Sequence, residues 1–186
     1  RYAYDQQPGI GLWNLHALAE ALSPLLPYEK TALVLQKYQP EVIMEYSRLM
    51  RAKLGLLEPL EDDLYLVSDL MRLLENEKED YTIFFRNLCD GKVPSSFKSW
   101  HKKYAARTSK ADADEQISMM KKNNPKYILR NYLAQNAIKA AEKGDNTEIQ
   151  KLLYLLQKPY EEQPENEIYA AYPPEWAGEI EISCSS

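Results

Sequence analysis

Leu12, Leu15, Ala19, Leu22 and Leu26 recur at steps of three and four, which places them on one stripe of a helix that runs from Gly11 until Pro24 and Pro27 end it. A second helix from Glu29 to about Tyr38 gives way at Pro40, a residue suited to the first turn of a third helix reaching Leu54 before Gly55. Glu61, Asp62 and Asp63 precede Leu64, Val67, Met71 and Leu74, so negative charge sits where a helix macrodipole favours it. Tyr81, Phe84, Phe85 and Leu88 make a short aromatic face beside Cys89, closed by Asp90 and Gly91. Pro94 and Ser95 or Ser96 open a helix carrying Trp100 and Tyr104 among Lys98, Lys102, Lys103, Arg107 and Lys110. Asp112 with Glu115 caps a short helix bearing Ile117 and Met120.

Asn124 before Pro125 predicts another start, with Leu129, Tyr132, Leu133, Ala137 and Ala140 buried until about Lys143 and Gly144. Asp145 and Glu148 cap a last helix whose Ile149, Leu152, Leu153 and Leu156 face inward until Pro159. The expected architecture is all-α, an irregular bundle of about eight helices over residues 1–158 with an extended acidic tail over 159–186. That tail holds seven acids and no bases between Glu161 and Glu181, and Ile180, Ile182 and Cys184 alternate as on one side of an extended strand.

Six glycines in 186 residues and a hydrophobic share of 45% fit helices around a real core. With 23 Lys and Arg against 28 Asp and Glu, a net charge of -5 disfavours a surface devoted to nucleic acid or anionic lipid. No apolar run approaches the roughly 18 residues of a membrane span, so no membrane partner is expected. Arg1 stands where an initiator Met would, and the start reads as an internal cut. Two cysteines, Cys89 and Cys184, make no disulfide framework and suit a reducing compartment.

His16 and His101 lie far apart, without Cys, His or acidic neighbours at zinc-like spacing, and Asp112-Ala113-Asp114 lacks the glycine and late glutamate of a calcium loop. No catalytic, cofactor-binding or metal-binding residue is assigned. His16 is read as a core-edge residue, and Cys89 as a small packing residue. The helix from Lys98 to Lys110 has the ingredients of a surface for RNA or an acidic partner, and an autonomous interaction module is the alternative reading. Burial of Trp100 and Tyr104 beneath solvated lysines, neutralised by acids between Glu58 and Asp80, is the stronger one. Cys184, third from the end, is a reachable thiol for which redox use carries more weight.

The strings Arg1-Tyr2-Ala3-Tyr4-Asp5-Gln6-Gln7-Pro8, Gly11-Leu12-Trp13-Asn14-Leu15, Arg51-Ala52-Lys53-Leu54-Gly55-Leu56 and Asn124 through Ala134, with the ending Cys184-Ser185-Ser186, resemble in order a segment of the SelO (selenoprotein O, YdiU) family. That resemblance implies the C-terminal helical part of a protein-kinase-like fold whose parent binds ATP with Mg2+ or Mn2+ and transfers AMP to Ser, Thr or Tyr hydroxyls of protein substrates. It puts the catalytic residues upstream of Arg1, so this chain alone should be inactive and its main partner should be the upstream lobe. It also implies a cytoplasmic protein in bacteria, or a mitochondrial one in eukaryotes. Cys184 takes the place of the family's selenocysteine, which the family pairs with a cysteine of the activation-loop region in a disulfide that restrains activity.

Overall fold

The computed structural model describes residues 6–180, and among them lie nine α-helices and no strand. The chain forms two compact units, one up to Met50 and one from Arg51 onward. The first contains α1 (Gln7–Ala21), α2 (Tyr28–Leu35) and most of α3 (Tyr38–Leu54). Pro8 occupies the first turn of α1, where its missing N–H removes no helical bond, so the helix begins ahead of the expected Gly11. Gly11 is required by a close approach, since a Cβ there would come within 2.4 Å of the Tyr38 hydroxyl. Leu12, Leu15, Ala19 and Leu22 are half-buried as their stripe predicts, while Leu26 lies past the helix and is exposed. His16 is exposed rather than at a core edge. Neither α1 nor α2 has a buried residue, and Trp13, Leu33 and Val34 are each more than 60% exposed.

The second unit continues through α4 (Asp63–Glu77), α5 (Tyr81–Cys89), α6 (Lys98–Thr108), α7 (Ala113–Asn123), α8 (Asn131–Ala141) and α9 (Thr147–Gln157). Helices α4 and α6 pack together, as do α5 and α7, and α8 and α9. One core is aromatic: the Phe84 ring lies 4.8 Å from Phe97, and Trp100 stacks on Tyr104 at 5.2 Å. Each polar tip in it finds a partner, because the Trp100 indole donates to the Leu66 carbonyl at 2.9 Å and the Tyr104 hydroxyl donates to the Leu54 carbonyl at 2.9 Å. The second core gathers Tyr127, Tyr132, Leu133, Ala137, Leu152, Leu155 and Tyr169. Gly55 joins α3 to the rest: at φ +65° it ends the helix, and a Cβ there would lie 2.5 Å from Gln116 of α7.

Three predicted stripes shift. On α4 the buried row is Leu66, Val67, Leu70 and Leu74 with Asp63, whereas Leu64 is exposed and Met71 half-buried, because α6 docks along the Asp63–Leu66 side. On α9 the run of leucines is ambiguous by period alone. Leu152 and Leu155 turn inward with Leu156, and Ile149 and Leu153 face out. Helix α8 starts at Asn131 instead of Pro125, which leaves Leu129 exposed, since residues 124–130 are held out of helix by contacts described below. Within residues 159–180 lie 3-10 turns at Pro164–Ala170 and Glu175–Glu179.

Asp63 is 1% exposed at its side chain and receives the Arg107 guanidinium at 2.8 Å, besides accepting from the Leu60 backbone N–H at 2.9 Å. Removing one member of such a pair strands the other charge in the interior. Arg107→Met should therefore lower stability by about 3 kcal/mol. Adding Asp63→Asn, which keeps an acceptor for Leu60 without a charge, should restore at least half of that loss in urea unfolding midpoints.

Candidate functional site

A residue before proline is pushed out of the helical region, and Asn124 accordingly ends α7 in an extended conformation, φ -120° and ψ 100°. Its side chain is fully buried, and the Nδ2 amide donates to the Lys53 carbonyl at 2.8 Å and toward the Cys89 sulfur at 3.7 Å. Its own carbonyl accepts from the Arg86 guanidinium at 3.0 Å. One asparagine thus ties the end of α3, the end of α5 and the exit of α7. Lys53 lies over the rings of Tyr81 and Phe85 at 5.2 and 4.9 Å, and burial pushes its amine below the ordinary lysine value. Arg130 closes the other end of the non-helical stretch on Asp80, at 2.6 and 3.0 Å, and Asp80 also caps α5 by accepting from the Ile83 N–H. Burial opposes ionisation of Asp80, yet Arg130 and the backbone donors hold its carboxyl below the usual range.

The stretch after Asn124 grips the segment that follows α9. Backbone N–H groups of Lys126 and Tyr127 both donate to the Pro159 carbonyl, at 2.7 and 3.1 Å. The Tyr127 hydroxyl donates to the Gln163 carbonyl at 3.0 Å and accepts from the Gln163 N–H at 3.2 Å. Gln163, itself buried, donates to the carbonyls of Leu155 and Lys158 and accepts from Asn166. Outside this polar knot sits a charged clamp: the Lys126 ammonium bonds Glu162 at 2.6 Å and also Glu167, while Arg86 bonds the other oxygen of Glu162. The two cations are 10% and 13% exposed, whereas the two glutamates are more than half exposed. Burial alone would lower the Lys126 amine, but its hydrogen bonds to Glu162 and Glu167 hold it above the ordinary value. Lys126 in turn draws the Glu162 carboxyl down to about 2. A cleft of about 190 Å³ opens beside the clamp, bordered by Thr82, Asn87 and Ala170.

The candidate residues fall as follows. Cys184, the one assigned redox residue, lies outside the described residues, as does most of the strand-like ending. Cys89 is 3% exposed, gives its thiol to the Phe85 carbonyl, and is pushed up by burial, all in keeping with packing. On the basic helix Trp100 and Tyr104 are buried, Lys103 meets Asp69 at 2.9 Å and Arg107 meets Asp63, so acids of α4 neutralise two of its five cations. No group of three His, Cys, Asp or Glu side chains converges as metal ligands among the described residues, and no helix there is long and apolar enough to cross a membrane. Sequence reasoning missed Arg86, Lys126 and Glu162 as a unit, because they are 36 or more positions apart. The Asn124-Pro125 dipeptide was the available signal for an extended corner.

Glu162 makes the clamp sensitive to acid. Unfolded, its carboxyl titrates near 4.5, so the stabilisation it brings is complete above that pH and drains away as pH falls toward about 2. Urea midpoints measured from pH 7 to pH 2 should fall across that window, and Glu162→Gln should flatten this part of the profile while lowering its neutral-pH plateau.

The family model of the protein adenylyltransferase SelO matches residues 1–157. A protein nucleotidyltransferase YdiU of Yersinia pseudotuberculosis serotype O:1b is 44% identical over 201 aligned residues, covering 100% of this chain and 42% of that relative. The YdiU protein of Vibrio cholerae serotype O1 is 45% identical over 206, again covering 100% of this chain and 42% of the relative. The chain therefore spans well under half the length of the curated relatives it matches. Across nearly its whole length it carries that family's sequence, and it belongs to the SelO family.

Proposed function

We propose that this chain is the C-terminal helical part of an enzyme that transfers AMP from ATP to Ser, Thr or Tyr hydroxyls of proteins, with a structural and redox-regulatory share in that activity. The observation that carries the reading is the match of the whole chain to a 42% portion of protein nucleotidyltransferases. In the reaction a hydroxyl oxygen displaces pyrophosphate from the α-phosphorus, and Mg2+ or Mn2+ with basic side chains offsets the developing charge. The residues described above make a poor seat for that chemistry. Arg86, Lys103, Arg107, Lys126 and Arg130 each already face a carboxylate of this chain. No step of the transfer is assigned to them, and the nucleotide and metal belong to the remaining part of the protein.

Two features support the supporting role. The outer faces of α1 and α2 leave Trp13, Leu18, Leu33 and Val34 in water, an apolar surface suited to the catalytic lobe. The other is Cys184, to which we assign the redox role: its thiol and a cysteine of the lobe lose one hydrogen each to an oxidant such as hydrogen peroxide, which leaves as water, and the disulfide restrains transfer. The same reading assigns the protein to the bacterial cytoplasm.

AMP transfer from ATP to a generic protein acceptor, with Mg2+ or Mn2+, should be found for the full-length protein and fall to background for residues 1–186 alone. Transfer by the chain alone would end the proposal. In the full-length protein, Cys184→Ala should keep activity under reducing conditions and lose its decline under peroxide; an unchanged decline would remove Cys184 from the redox role.

A further inference from the structure

Glu162 spends both of its carboxylate oxygens on the clamp, one on the Arg86 guanidinium and the other on the Lys126 ammonium at 2.6 Å. The cations are fixed and the acids are not. Arg86 is buried and also donates to the Asn124 and Lys121 carbonyls at 3.0 and 3.4 Å, and the Lys126 side chain is nearly as enclosed, whereas Glu162 and Glu167 are each more than half exposed. Water already competes for those two acids, and moving them aside turns both cations toward the neighbouring cleft. That cleft holds about 190 Å³, the volume of roughly six waters. Thr82 and Arg86 border it from one face of α5, being four residues apart, and Asn87 lies beside them. Thr82 and Asn87 are half-buried there, and neither side chain makes a hydrogen bond among the described residues. A third cation, Lys92, stands at the rim 3.9 Å from Asp90, which also meets Lys121 at 3.5 Å.

We propose that this cleft binds a free phosphate ion, and that Glu162 is the resident substitute which the ion displaces. A carboxylate has two oxygens in one plane, and Arg86 and Lys126 consume both, so the Thr82 hydroxyl and the Asn87 amide are left without an acceptor. A phosphate has four oxygens in a tetrahedron. Two take the place of the carboxylate on Arg86 and Lys126, and the remaining two serve Thr82 and Asn87. The guanidinium supplies the forked N–H donors that oxyanions fit, and the ammonium a compact charge. Both buried cations stay paired through the exchange, while Glu162 passes into water that it already half occupies. The bordering side chains are balanced, with Arg86, Lys92 and Lys126 against Asp90, Glu162 and Glu167, so the ion enters only as Glu162 leaves. Phosphate binding is therefore weak in the parent protein and tightens when the resident acid is removed. The inference rests on the clamp and the cleft alone and is independent of the transfer chemistry proposed above.

The test is amide hydrogen exchange of the full-length protein in inorganic phosphate, read by mass spectrometry in peptides covering Thr82–Cys89 and Lys126–Tyr127, the latter holding the two donors to the Pro159 carbonyl. Phosphate should slow exchange in these peptides to a saturating level. Glu162→Gln removes the competing charge at nearly constant size and should lower the phosphate concentration at half effect about tenfold. Sodium acetate at equal ionic strength, a planar anion, should not reproduce the slowing. Peptides from α6 register the general stabilisation that phosphate gives any folded protein, and their unchanged exchange shows that each variant has folded. With Lys126→Gln added to Glu162→Gln, the slowing at the cleft should vanish. Phosphate held at the transfer site acts alike in all three proteins, so the comparison separates it. The proposal is overturned if no slowing occurs, if acetate or the α6 peptides match it, if the half-effect concentration is the same in parent and Glu162→Gln, or if the slowing survives the loss of Lys126.

Discussion

The second unit depends on one buried amide. Asn124 has to be extended because a proline follows it, and an extended residue inside a helical core exposes backbone groups that no helix satisfies. The structure satisfies them from three sides: Asn124 gives its side chain to the end of α3, and its carbonyl receives Arg86 of α5. The following residues then turn their backbone donors outward to Pro159. An apolar residue at this position would leave the Lys53 carbonyl buried without that donor, and a helical one would remove the surface on which residues 159–170 lie.

Charge in this chain is organised around the same corner. At Arg86 and Lys126 the cations are the buried partners, and Glu162 and Glu167 come to them from more exposed positions. Between α4 and α6 the order is reversed, since Asp63 is the buried member and Arg107, 20% exposed, the more open one. The acidity of the last segment is thus explained in part by docking: two of its glutamates neutralise cations that the helices have already taken out of water. The same pairing accounts for much of the basic helix, where Lys103 and Arg107 face α4 and leave fewer cations for a polyanionic partner.

Much of this was legible from the sequence because it is local. Period, caps and glycine stops located the helices, and Asp112 caps α7 through the Glu115 N–H as its spacing implies. Asp145 lies one residue further out than expected and bonds Thr147 instead. The end of α4 gave no such signal, since Lys78, not a glycine, takes the left-handed turn at φ 52°. Asp80 as the cap of α5 was hidden as well, among a run of acids that composition treats alike.

By itself the sequence determined the all-helical class, the positions of most helices, the burial of Trp100 and Tyr104 beneath lysines, and the family, because each is carried by neighbouring residues or by long matching strings. Only the tertiary structure decided which face of α4 and α9 turns inward, that residues 124–130 stay out of helix, and that Arg86 and Lys126 seize Glu162. Those outcomes depend on contacts between residues tens of positions apart. Periodicity fixes a helix's stripe only to within its neighbours, and nothing in a local pattern specifies which distant carboxylate will meet a buried cation.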